Sequence, residues 1–115
     1  IRVHFSTWPH VQALRFNTQK GPCKDIRVRK AVSHAIDRKA LVAGIQFGLA
    51  TVASSMYPGK HWCHNPNLKP VRYDPELSKK LLAEAGYPDG ITLKGYMGNL
   101  PDDVPAAGLT FGIRI

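Results

Sequence analysis

Apolar and polar residues follow helical spacing in two stretches of this chain and strict alternation in others. Val28, Ala31, Val32, Ala35 and Ile36 share one arc of roughly 140° on a helical wheel, a stripe that faces a core. Arg27, Lys30, His34 and Arg38 gather on the opposite side. Leu41 and Ile45 would land among those basic residues if the helix ran straight. The pattern therefore predicts a break near Asp37, with Asp25 capping the first helix and Asp37 a second, short one over residues 38–45. The second clear helical text is "YDPELSKKLLAEAGYPDG". Asp74 stands at its N-cap, Pro75 takes the first helical position and Glu76 favours the positive helix end. Leu77, Leu81, Leu82 and Ala85 form the stripe to be buried, and Gly86 stops the helix before Tyr87-Pro88.

Alternation over "ITLKGYM" (residues 91–97) predicts a strand, "FGIRI" (residues 111–115) another, and "ALRFNT" (residues 13–18) a third. The third runs into "KGPCKD", a Gly-Pro connector at whose corner Asn17 has a stabilising part. Residues 44–73 carry Gly48, Gly59, Pro58, Pro66 and Pro70 and read as one long loop, which in a compact domain is functional or braced by another segment. "GNLPDDVPAAGLT", between the last two strands, is too short and too Pro-rich for a solid helix. No internal repeat is present.

Composition narrows the class without naming it. At 115 residues the length is that of one modest domain, and hydrophobic residues at 43% with charged residues at 21% describe an ordinary globular sequence. No apolar run reaches the roughly 20 residues that span a bilayer. There is no initiator Met and no signal-peptide pattern, and both ends stop mid-pattern, as expected of a piece of something longer or a processed product. The net charge of +8 favours acidic partners in general. Its lysines and arginines are scattered rather than massed in a block, so the basic residues of residues 26–38 read as the solvated back of an amphipathic helix. Cys23 and Cys63 are too few for a disulfide framework and form no CxxC pair.

Reactive residue types cluster once, at His61, Cys63 and His64 around Trp62. As metal ligands they lack the second spaced pair that structural zinc sites draw on, and Cys63 and His64 are sequence neighbours rather than partners brought together by a fold. Paired carboxylates and a glycine-rich phosphate cradle are missing. A sheet interleaving aromatic and basic residues, as single-stranded nucleic acid requires, is missing too. Nothing here argues for catalysis.

Several phrases in series carry a resemblance. "FNTQKGPCKDIRVRKAVSHAIDRKALV" is followed by "YPGKHWCHNPNLKPVRYDPELSKKLLAEAGYPDGITL". Together they resemble the extracellular solute-binding proteins of peptide and nickel ABC importers, solute-binding protein family 5. The elements are FNT, P-x-x-D-x-R-V-R-x-A, A-I-D-R, a Pro-Gly-x-x-W-x-x-N-P loop and Y-D-P-x-x-S-K-x-L-L-A-E-A-G, covering residues 13–95. The resemblance implies an α/β fold: part of one lobe of a two-lobed periplasmic-binding-protein (type II) fold, a mixed sheet with flanking helices. Residues 1–115 would be a fragment of the larger C-terminal lobe, domain III. Cys23 stands where the family commonly has a large apolar residue, Cys63 replaces a small or aromatic one, and the tail lacks room for the helix that usually precedes a strand like "GIRI".

The function so implied is non-covalent capture of an oligopeptide-like solute, delivered to an ABC permease in the cytoplasmic membrane. It needs no catalytic residue, cofactor or metal, and no nucleic acid partner. Other family branches take a nickel chelate, haem, glutathione or an oligosaccharide. The location would be periplasmic or extracellular, with or without a lipid anchor, and the remaining segments of the parent chain would be partners. Alone, the 115 residues would be marginally stable. The family's place for the Pro58 loop makes His61 and Trp62 the candidate ligand contacts. The competing role for Trp62 is to anchor the loop on the lobe's core, and for His61 to be a solvated loop residue. Two rival functions are a small basic nucleic-acid-binding module and a metal-dependent enzyme using His61, Cys63 and His64.

Overall fold

In the computed structural model, residues 2, 11, 13–45, 47–96 and 108–113 are described. Where the length predicts one domain, the chain divides into two compact units: Ile1–Arg15 with Asp37–Arg72, and Phe16–Ile36 with Tyr73–Ile115. Every buried residue among those described lies in the second unit.

That unit is built on α1 (Ile26–Ala35), α3 (Pro75–Glu84) and the strands β1 (Ile91–Tyr96) and β2 (Gly108–Ile113). Its core is Val28, Ala31 and Val32 from α1, Leu82 from α3, and Ile91 and Leu93 from β1. These are the stripe positions of α1 and alternate positions of β1, whose Thr92 and Lys94 face out. Phe16, Cys23, Ile36, Leu81, Ala85 and Tyr87 pack around the core, partly buried.

The helix ends are satisfied in detail. A 3-10 turn, Pro22–Lys24, leads into α1, and the Asp25 carboxylate accepts from the Arg27 amide at 2.8 Å. Arg29 reaches back from α1 to donate to the carbonyls of Cys23 and Lys24, both at 2.8 Å. At the far end of α1 the His34 carbonyl accepts from the Asp74 amide at 2.9 Å. Asp74 in turn caps α3 through the Leu77 amide at 3.1 Å. The C-terminus of α3 closes with Gly86 N–H on the Ala83 carbonyl at 3.0 Å and Tyr87 N–H on that of Leu82 at 2.9 Å. This reversal requires a left-handed residue, and Gly86 supplies it at φ 91°.

β1 and β2 pair antiparallel, Ile91 opposite Ile113 and Leu93 opposite Phe111. Among the described residues the sheet has only these two strands. A mixed sheet needs a parallel neighbour, which the described residues do not include. The strand predicted over "FGIRI" starts earlier, at Gly108, and its last two residues, like Met97 and residues 98–107 of the "GNLPDDVPAAGLT" stretch, lie outside the described residues.

The strand predicted for residues 13–18 is corrected. Residues 13–17 belong to no regular element and the chain bends from residue 18. A strand exists only by pairing, and no described strand lies beside this one. Asn17 does hold the corner, its Oδ1 accepting from the amides of Gln19 and Lys20 at 3.0 and 3.2 Å.

In the first unit, α2 (Arg38–Gly44) is capped by Asp37, whose carboxylate accepts from Lys39 and Ala40 amides, each at 3.0 Å. The break expected near Asp37 is thus present, with Ile36 and Asp37 both in extended backbone. Beyond α2 the unit holds no helix or strand among its described residues. Phe47, at φ 49°, and Gly48 turn the chain, the Gly48 amide donating to the Val42 carbonyl at 3.0 Å.

Candidate functional site

The loop around His61 is knitted by short-range hydrogen bonds rather than by a core. Pro58 and Gly59 open a turn in which the His61 amide donates to the Pro58 carbonyl at 2.8 Å. A second turn follows at once, the His64 amide donating to the His61 carbonyl at 2.9 Å. The Tyr57 carbonyl accepts from Ser55 Oγ at 3.0 Å and from His64 Nδ1 at the same distance. His61 Nδ1 accepts the Cys63 amide at 3.1 Å.

These turns bring three rings into a stack. The centroids of Tyr57 and His61 lie 4.9 Å apart with 29° between planes, and those of His61 and Trp62 lie 5.8 Å apart with 26°. Trp62 is 90% exposed, so its own unit does not bury it. An indole in water with one neighbour stacked on it retains most of its contact area for another molecule. Tyr57, about half exposed, is the member of the stack that sequence reading missed. The signal was present: it precedes the Pro-Gly turn and stands four residues before His61.

Chemistry other than contact finds little support here. His61, Cys63 and His64 are sequence neighbours, yet among the described residues no group of three or more His, Cys, Asp or Glu side chains converges as a metal would need. Cys23 and Cys63 are both free. Burial pushes the Cys23 thiol above its ordinary range, against a smaller opposing pull from Arg29.

Both arginines of α1 are also engaged. Arg27 holds Asp25 through Nη2 at 2.6 Å and reaches the Glu84 carbonyl at the end of α3 at 2.5 Å. The guanidinium keeps the Asp25 carboxyl below its usual range, first through the side-chain hydrogen bond and then through the Arg27 amide. Arg29 is spent on two carbonyls of the 3-10 turn. Guanidinium groups committed to a carboxylate and to backbone carbonyls are not a row of donors awaiting phosphates. The second unit otherwise offers a shallow, open depression lined by Gly21, Pro22, Lys24, Asp25, Ala85 and Tyr87, with no converging reactive groups. No helix among the described residues is long and apolar enough to cross a membrane.

Capped helices and a Pro-Gly-x-x-W loop with an exposed tryptophan follow one another in the order that the resemblance implies. The chain belongs to the bacterial extracellular solute-binding proteins, family 5, whose middle-region model matches residues 2–109, a longer stretch than the phrases over residues 13–95. The family consists of solute-binding transport proteins. Among relatives, Heme-binding protein A of Haemophilus influenzae is 41% identical over 70% of this chain, and the Dipeptide-binding protein of Escherichia coli 33% over 73%. The chain spans only 15% and 16% of those proteins' lengths. Among solved structures it is similar to the ABC transporter-associated periplasmic binding protein DppA from Helicobacter pylori in complex with the peptide STSA. That similarity has a TM-score of 0.62 and 39% identity, covering 64% of this chain and 14% of that one.

Proposed function

We propose that this chain is a segment, from the larger lobe called domain III, of the substrate-binding component of an ABC importer. That component captures an oligopeptide-like solute outside the cytoplasmic membrane and delivers it to the permease, without catalysis. The observation that carries the reading is the 39% identity to a periplasmic binding protein solved with a peptide bound. It is supported by the relative named as dipeptide-binding. In the complete protein, the two-stranded sheet of the second unit joins a larger mixed sheet of a two-lobed fold, and other segments supply most of the ligand contacts.

Within this segment the ligand contacts are His61 and Trp62. Extended peptides are recognised chiefly through backbone groups common to every sequence, while flat aromatic surfaces take up side chains without demanding one identity. Closure of the two lobes around the solute, favoured by its differential contacts, is the state the permease reads.

Calorimetric titration of the full-length protein with di- to pentapeptides tests this. Saturable one-to-one binding, weakened in Trp62→Ala, is the expected result. A protein that ignores peptides but binds an oligonucleotide, with an affinity that collapses as salt rises, overturns it in favour of a nucleic-acid module.

A further inference from the structure

Two histidines three residues apart are held in opposite tautomers by the backbone. The Cys63 amide can only donate, so the His61 Nδ1 it meets at 3.1 Å must present a lone pair. The proton of neutral His61 therefore sits on Nε2. The Tyr57 carbonyl can only accept, so the His64 Nδ1 it meets at 3.0 Å must carry the proton, and His64 Nε2 keeps its lone pair. His61 is exposed, and none of the described hydrogen bonds engages its Nε2–H.

The position has a second property. Elsewhere in this chain the same local geometry, a side chain accepting the amide two residues on, is made by Asn17, Asp25, Asp37 and Asn65 at 2.8–3.0 Å. Such turns need only a short side chain with an acceptor. An imidazole in that place does the turn's work with Nδ1 and adds, across the ring, an N–H donor on the edge of a ring that stacks with Tyr57 and Trp62.

We propose that His61 is a specificity-determining donor: its Nε2–H, fixed by the Cys63 amide, selects solutes that bring a carbonyl or carboxylate oxygen to the Tyr57–His61–Trp62 stack. This rests on the ligand-site reading above and narrows it. In the same tautomer neutral His61 offers no lone pair on Nε2, so a chelated metal or haem iron would have to displace the Cys63 hydrogen bond to take it as a ligand. A peptide, with an acceptor on every residue and a carboxylate at its end, satisfies the site.

Nuclear magnetic resonance of the imidazole nitrogens in the full-length protein reads the tautomers directly. The expected spectrum has a protonated Nε2 at His61 and a protonated Nδ1 at His64. Titration with trialanine then separates the roles. His61→Asn keeps the acceptor for the Cys63 amide and removes the outward donor, so binding weakens by about tenfold, the order of one hydrogen bond to an ionised group. His61→Gln places an amide N–H near the former Nε2 and recovers most of the loss. A protonated Nδ1 at His61, or His61→Asn binding as tightly as the parent protein, overturns the proposal. If Trp62→Ala then still weakens binding, only the donor role has failed; if it too has no effect, the ligand site itself was misplaced.

Discussion

The Ser78 hydroxyl donates to the Ala31 carbonyl at 2.8 Å, joining α3 to α1 inside the packed interface between them. Ser78 is 3% exposed and Ala31 fully buried, so the two helices meet over small side chains with the hydroxyl satisfied. Ser78→Ala is expected to lower unfolding stability by about 1 kcal/mol, the usual net worth of such a bond. Ser78→Leu forces extra volume into the same place and should cost about 1–3 kcal/mol or more. Urea unfolding midpoints check both; a Leu variant as stable as the parent would show that the helices are not in close contact there.

Asp25 makes part of the stability depend on acid. Its native pKa is held below the unfolded value by Arg27, so the carboxylate's contribution is complete above the ordinary range near 4. As pH falls through the lowered native value that contribution is lost. Asp25→Asn keeps a capping oxygen but no charge. The stability gap between parent and variant should be constant from about pH 5 to 7 and close on further acidification. A gap that widens in acid contradicts the pairing.

Cys23 should react sluggishly. Burial raises its thiol pKa, and the thiolate is the nucleophile. In a Cys63→Ser background, alkylation near neutral pH is expected to be slower in the native protein than in urea, where burial is abolished. Equal rates would contradict the packing of Cys23 beside the core.

The second unit was largely readable from residue pattern, because its signals are local. Asp25, Asp37 and Asp74 cap helices whose first residues follow directly, and the stripe of α1 needs only 3.6-residue spacing to be seen. What escaped depends on residues far apart in sequence. Ser78 falls within the leucine stripe of α3 by helical spacing, but a hydroxyl does not announce burial, and the Ala31 carbonyl that satisfies it lies 47 positions earlier. Arg27, placed on the solvent side of α1, is drawn to Asp25 and to the end of α3, 57 positions away. The strand expected at residues 13–18 failed for the same reason, since its partner is not among the described strands. At the candidate site, His61 and Trp62 were legible as residue types, but the stack with Tyr57 and the exposure of the indole required coordinates.

Several large apolar side chains of the first unit lie bare. Phe47 is 83% exposed, Leu49 72% and Ile45 65%, and the described part of this unit contributes no buried residue. The isolated 115-residue chain is expected to bind an apolar dye and to melt broadly. A sharp cooperative melt without dye binding would show that it needs no other segment.

The most direct measurement is hydrogen exchange on the full-length protein, with and without a saturating tripeptide. Ligand contact at the stack should slow the amides of residues 58–64 while leaving those at the exposed back of α1 unchanged. Exchange across residues 58–64 that is indifferent to bound peptide would contradict a binding role for this loop, and with it the placement of the cargo against His61 and Trp62.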